Sequence, residues 1–70
     1  MMPLIMAKCG DVGKIAAVRG KPEIKRYLES MGFVEGALIT VISEIDGNLI
    51  VNVKDARVAL SRNMASKIFV

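Results

Sequence analysis

The chain has 70 residues, of which 53% are hydrophobic, and a formal net charge of +3 at pH 7. A domain of this length typically has no more than about 3–5 kcal/mol of net stability unless a disulfide or a metal ion reinforces it. Cys9 is the only cysteine and histidine is absent, which excludes an internal disulfide and a zinc site of the usual Cys and His type within one chain. We therefore expect one domain, residues 1–70, in which a sheet closes on itself.

The first residues, 1–7, are apolar and contain Pro3. No basic residue precedes them, and they are far shorter than the roughly 20 residues of a membrane-spanning helix, so we do not interpret them as a signal peptide. Without an export signal or paired cysteines, the sequence favours a reducing cytoplasm as the location of the protein. Gly10-Asp11 then indicates a turn, and residues 13–19 predict a first strand that ends at Gly20.

A helical pattern occupies the next segment. Ile24, Leu28 and Met31 recur at spacings of four and three, which places one apolar stripe on a helix of about three turns. Pro22 suits the first turn of this helix. Gly32 suits the left-handed residue that ends it, because glycine lacks the Cβ that makes this conformation costly.

The remainder of the chain predicts strands joined by tight turns. The predicted strands are residues 37–44, 49–54, 57–61 and 67–70. Asp46-Gly47-Asn48 is a strong hairpin signal, and Lys54-Asp55-Ala56 predicts a second tight turn although it contains no glycine. We expect Ser61 or Asn63 to cap a single helical turn before the last strand.

Short strands with one inserted helix predict an all-β fold, a small barrel of about five strands with a short helical turn before the last strand. Alternation places these aliphatic side chains in the barrel interior: Ile39, Val41, Leu49, Val51, Val53, Val58 and Leu60. Three aliphatic side chains remain on the opposite face of the central hairpin: Leu38, Ile42 and Ile50. Either the helix or the N-terminal segment covers them, or some of them form an exposed docking patch.

The sequence offers no set of residues for catalysis. The usual general base is missing because histidine is absent, and the seven acidic residues are scattered among turns and polar faces. Cys9, next to Gly10, is best interpreted as a small turn residue. We therefore expect a protein that is not an enzyme, with no cofactor and no metal site, because Fe(II) sites draw on imidazole, thiolate or clustered carboxylates.

Basic residues make nucleic acid the main competing ligand. One basic group lies at the start of the helix: Arg19, Lys21, Lys25 and Arg26. A second group lies towards the C-terminus: Lys54, Arg57, Arg62 and Lys67. Proteins that bind single strands also need aromatic stacking platforms. Tyr27 is isolated, and Phe33 and Phe69 are expected in the core or at a corner, so we do not expect a nucleic-acid partner.

Several of these residues, taken in order, resemble the family of ferrous-iron transport protein A (FeoA). The resemblance covers nearly the whole chain and is carried by this ordered set: Ile24 to Leu28, Met31-Gly32-Phe33, Gly36, Ile39 to Val41, Asp46-Gly47-Asn48, Arg57 to Leu60 and Ala65 to Val70. It implies a cytosolic barrel similar to Src-homology-3 (SH3) domains. It also implies a partner, the FeoB-type membrane permease for ferrous iron, which carries a guanine-nucleotide-binding domain. A related module is the C-terminal domain of iron-dependent repressors.

The resemblance thus predicts a non-enzymatic accessory protein that docks on the cytosolic part of the permease, modulates uptake and meets the membrane only through that partner. The alternatives are a basic nucleic-acid-binding barrel and a free-standing relative of the repressor module. Candidate contacts are the basic residues Lys25 and Arg26 on the helix, Phe33 and Val34 at its corner, and the outer strand residues Leu38, Ile42 and Ile50. Phe33 has the alternative role of filling the end of the barrel.

Overall fold

The computed structural model describes residues 1–70 and has six strands, two α-helices and one 3₁₀ turn, Leu4–Met6. The strands are β1 (Val12–Lys14), β2 (Ala17–Val18), β3 (Leu38–Ile45), β4 (Asn48–Val53), β5 (Ala56–Leu60) and β6 (Ile68–Phe69). The helices are α1 (Pro22–Ser30) and α2 (Arg62–Ala65). One four-stranded sheet has the order β1-β3-β4-β5, and β2 pairs with β6 in a second sheet. The predicted all-β fold with one inserted helix and a short helical turn is confirmed.

The first strand differs from the prediction. Two short strands, β1 and β2, replace the single strand predicted over residues 13–19. β1 pairs with β3, whereas β2 pairs with β6. Between them, the Ile15 N–H donates to the Ala37 carbonyl at 2.9 Å and the Ala16 N–H donates to the Phe69 carbonyl at 2.7 Å. The chain therefore passes from one sheet to the other at this point, and the strand count rises from about five to six.

Helix α1 has the predicted apolar stripe. Leu28 is fully buried, and Ile24 and Met31 are partly buried against the core. Gly32 has a φ of +100°, which confirms the left-handed residue after the helix. The Phe33 N–H donates to the Leu28 carbonyl at 3.1 Å, so a backbone bond at the end of the helix fixes where the chain turns.

Both hairpin turns have two residues with positive φ. Asp46 and Gly47 have φ values of +51° and +82°, and Lys54 and Asp55 have values of +48° and +63°. Positive φ at both central positions defines a type I′ turn, whose twist matches that of the flanking strands. The second turn adopts this conformation without a glycine, so Lys54 and Asp55 are under backbone strain.

Asp55→Gly should raise the free energy of unfolding by about 0.5–1 kcal/mol, because relief of the left-handed strain exceeds the entropy that glycine adds to the unfolded chain. The neighbouring substitution Ala56→Gly is the matched control, since Ala56 lies in strand β5 outside the left-handed region. It should destabilise the protein by about 0.5–1 kcal/mol. Urea denaturation measures both changes, and equal losses for the two variants would contradict the assigned strain.

A β-bulge interrupts the pairing of β3 with β4. The register shifts between Val41 and Ser43, so that Val41 pairs with Val51 while Ser43 pairs with Ile50. A shift of one residue reverses the alternation of side chains beyond it. Glu44 therefore lies opposite the buried Leu49, and its carboxylate comes within 3.6 Å of the Arg62 guanidinium on α2.

The core consists of twelve buried side chains, all apolar. The predicted inward positions on β3 and β4 are confirmed, since all five are buried: Ile39, Val41, Leu49, Val51 and Val53. Leu60 is also buried, while Val58 on the edge strand β5 is only partly so. The α2 cap is Ser61, whose Oγ accepts from the Met64 N–H at 3.1 Å.

The two ends of the chain pair with each other. The Met2 N–H donates to the Val70 carbonyl and the Val70 N–H donates to the Met2 carbonyl, both at 2.8 Å. Pro3 forms an isolated antiparallel bridge with Phe69, and Leu4 is buried. The apolar N-terminal segment is therefore part of the barrel.

Candidate docking surface

The side of the four-stranded sheet that faces away from the core is the outer sheet face. Cross-strand pairing determines its membership, because residues directly opposite each other share a face. One row joins Val12, Thr40, Asn52 and Arg57, and a second joins Lys14 to Leu38. Beyond the bulge, further rows join Ser43, Ile50 and Ala59, and Ile45 with Asn48.

Aliphatic side chains lie exposed on the outer sheet face. Leu38 is 63% exposed, Val12 65%, Ile45 56% and Ile42 38%, while Ile50 is partly buried. Neither the helix nor the N-terminal segment covers Leu38 and Ile42, so the interpretation as an exposed patch fits these two residues. Exposed apolar surface often marks an interaction site.

Sequence reasoning missed two members of this face. Val12 lies between the predicted Gly10-Asp11 turn and the predicted first strand, and only its pairing with Thr40 places it on the outer sheet face. Ile45 follows the bulge, which moves it to the outer side opposite Asn48. A regular alternation from Ile39 onward would have placed it inside the barrel.

Basic side chains cluster at the Leu38 end of the outer sheet face, whereas Ile45 lies at its opposite end. Lys14 is the cross-strand neighbour of Leu38, and Arg57 lies at the far end of the row that contains Thr40. Lys54 and Asp55 line an open depression together with Ala37, Leu38, Thr40 and Asn52. The single ion pair of the chain is between Arg62 and Glu44, so Lys14, Lys54 and Arg57 have no carboxylate within 4.0 Å.

The helix corner differs from its predicted role. Lys25 and Arg26 are exposed on α1, but Phe33 has 0% exposure and belongs to the core. A fully buried ring cannot touch a partner, so the prediction of Phe33 as a docking contact is wrong and its alternative role inside the barrel holds. Val34 is partly buried. Because Phe33 lies in the core, the helix corner lacks the exposed aromatic anchor that the sequence suggested.

The aromatic side chains do not form a row of stacking platforms. Tyr27 is the exposed ring of the chain, Phe33 is buried, and Phe69 is partly buried beneath the Arg19 guanidinium, which lies 4.7 Å from the ring centroid. The basic groups therefore attract polyanions without the base stacking that single-strand binders use.

The larger of the two cavities, about 340 Å³, is the open depression at Lys54 and Asp55 described above. An apolar pocket of about 100 Å³ lies beside the N-terminal segment, well below the roughly 300–1,000 Å³ of most small-molecule sites. No three His, Cys, Asp or Glu side chains come together as a metal-binding group, and Cys9 is exposed in a turn. Neither helix has the length and apolar character that crossing a bilayer requires. The prominent feature of the surface is thus the outer sheet face.

A six-stranded barrel with α1 inserted between β2 and β3 is a small SH3-like module. The family model described as FeoA domain matches residues 2–70, and the chain therefore belongs to the FeoA family. Membership in this family implies a role in ferrous iron transport. The family consists of small accessory domains and is not a known enzyme family. No curated protein sequence matches this chain.

Solved structures agree with this assignment. An iron uptake regulatory protein (FeoA) is 30% identical, with a TM-score of 0.88 over 96% of this chain and 89% of that one. A manganese-dependent transcriptional repressor is 28% identical, with a TM-score of 0.87 over 97% of this chain but 39% of its own. The Stenotrophomonas maltophilia FeoA complexed with zinc, described as a prokaryotic SH3 domain protein, covers 100% of this chain and 89% of its own with a TM-score of 0.87. At 24% identity it shows the fold alone.

Proposed function

We propose that this chain is a non-enzymatic accessory protein that docks on the cytosolic part of a FeoB-type ferrous-iron permease and modulates its activity. Family membership supports the role in ferrous iron transport. The observation that carries the docking proposal is the exposed aliphatic surface of β1 and β3. Such a protein acts through a surface and meets the membrane only through its partner.

The proposed interface combines two physical contributions. Exposed aliphatic side chains such as Leu38 and Ile42 supply an anchor that loses water on binding, which slows dissociation. Exposed basic side chains such as Lys25 and Arg26 attract an anionic partner from a distance of about a Debye length, which accelerates association. The candidate contacts Val34 and Ile50 are partly buried and would add to the periphery.

The decisive experiment measures binding of this chain to the immobilised, purified cytosolic part of a FeoB-type permease from the same organism. We expect reversible binding, together with a change in ferrous iron uptake when this chain is deleted and then restored. An unchanged uptake rate and no binding at low salt would exclude the proposed function.

The double charge reversal Lys25→Glu and Arg26→Glu should leave the fold intact, because exposed helix charges contribute only about 0.2–0.5 kcal/mol per neighbouring pair. Association with the permease domain should slow several-fold at low salt, while dissociation stays as in the wild type. Glu29→Lys, a charge change of opposite sign on the same helix, is the matched control and should accelerate association. Wild-type association of the doubly reversed protein at low salt would show that α1 does not steer the encounter.

A second candidate function rests on the likeness to the manganese-dependent transcriptional repressor, of which this chain matches 39%. A free-standing relative of that module would work through contacts with a regulatory protein. Salt-dependent binding of an oligonucleotide would instead favour the nucleic-acid alternative, because neutralising phosphates releases counterions. Binding to the permease domain without affinity for oligonucleotides favours the first proposal over both.

A further inference from the structure

We infer that the outer sheet face binds an acidic segment of the partner, one that presents carboxylates beside aliphatic side chains. This inference rests on the proposed function and goes beyond it, because it specifies the surface used and the chemistry of what it contacts. It follows from the arrangement of exposed aliphatic and unpaired basic side chains on one side of the four-stranded sheet.

The dimensions of the outer sheet face suit a small contact. The row from Val12 to Arg57 crosses four strands, or about 14 Å at the usual strand spacing. The column from Leu38 to Ile45 on β3 is roughly 20 Å long. Their product is on the order of 300 Å², below the roughly 800 Å² per partner of a standard stable interface. The complex is therefore expected to be transient and sensitive to the loss of single contacts.

The charges on this face favour an acidic partner. Lys14 and Arg57 lie on outer positions of the two edge strands, and Lys54 lies at the end of β4 beside the same surface. The only carboxylate lining the depression at this face is that of Asp55. Because none of the three basic groups has an ion-pair partner, carboxylates of a docked segment can take these positions.

The same charges disfavour a second copy of this chain as the occupant. Two outer sheet faces placed against each other would bring the Lys14, Lys54 and Arg57 set of one copy against the same set of the other. Like charges across an interface are repulsive, and this cost rises when water is removed. Nucleic acid would satisfy the charge but not the exposed aliphatic side chains, which offer no ring on which bases stack.

The test measures association and dissociation rates against the immobilised cytosolic part of the permease at 50 and 300 mM salt, with folding of each variant confirmed by circular dichroism. The double variant Leu38→Asn and Ile45→Asn removes two of the four exposed aliphatic side chains, and dissociation should become at least tenfold faster. Lys14→Glu with Arg57→Glu should slow association, accelerate dissociation at least tenfold and weaken the salt dependence. Lys25→Glu with Arg26→Glu has the same net charge change and is the matched control, which should leave dissociation unchanged.

Three outcomes would overturn the inference, and they are distinguishable. Wild-type dissociation of both outer-face variants, with measurable binding by the unmodified chain, would move the interface elsewhere and leave the proposed function standing. Absence of binding by the unmodified chain would exclude the proposed function as well. If the wild type sediments as a dimer and the double variant Leu38→Asn and Ile45→Asn sediments as a monomer, the face binds a second copy of this chain.

Discussion

Leu60→Ala should lower the free energy of unfolding by about 2–5 kcal/mol, because the side chain is buried on β5 and its removal leaves a cavity among close-packed neighbours. A loss of this size equals most of the roughly 3–5 kcal/mol that a domain of 70 residues has, so the variant should be largely unfolded at 25 °C. Val51→Ala, on the neighbouring strand, should cost somewhat less because valine is smaller.

Leu38→Ala is the matched control for this prediction. It makes the same chemical change on the outer sheet face, where the side chain is 63% exposed, and should alter stability by no more than about 0.5 kcal/mol. Circular dichroism during urea denaturation measures both variants. An unchanged urea midpoint for Leu60→Ala would show that the assigned inward phase of β5 is wrong.

Phe33→Ala should be the most damaging substitution in the chain, with a loss of about 3–5 kcal/mol. Phe33 follows the left-handed Gly32, its N–H caps the end of α1 through the Leu28 carbonyl, and its ring is completely buried. Truncation leaves a cavity within the cluster of buried side chains to which Phe33 belongs.

Tyr27→Ala provides the comparison for Phe33→Ala, because it removes an aromatic ring that is about half exposed on α1. We expect it to fold with nearly wild-type stability. A stable, folded Phe33→Ala protein that binds the permease domain less well than Tyr27→Ala would return Phe33 to the surface role that its burial argues against.

Local patterns were sufficient for much of the fold. The end of α1 at Gly32 and the Asp46-Gly47 hairpin depend on backbone preferences of single residues, which the sequence displays directly. The inward positions of β4 follow from strict alternation, and Leu49, Val51 and Val53 are all buried as predicted. These features involve neighbours in the chain and little else.

Features that depend on distant partners could not be predicted in this way. The break between β1 and β2 exists because Ile15 bonds to Ala37 and Ala16 bonds to Phe69, more than fifty residues away. The bulge after Val41 arises from pairing with β4, and no residue at that position predicts a bulge. The outward position of Ile45, which the bulge causes, therefore could not be predicted from the sequence.

The candidate site was anticipated in part. Alternation placed Leu38 and Ile42 outside the barrel, but only the structure shows that nothing in this chain covers them. For Phe33 the sequence left two roles open, because an apolar residue at a helix corner can face either way, and burial of the ring selects the role inside the barrel. The proposed roles of Lys25, Arg26, Val34 and Ile50 remain predictions until binding is measured.

Pairing of the chain ends has a practical consequence. Because Met2 and Val70 exchange both backbone hydrogen bonds, labels attached at the two termini begin about one strand spacing apart, near 5 Å. The folded chain has a radius of gyration of 10.5 Å, whereas an unfolded chain of this length has about 26 Å. A fluorescent donor and acceptor on the two termini would therefore pass from nearly complete energy transfer to little transfer as the barrel opens.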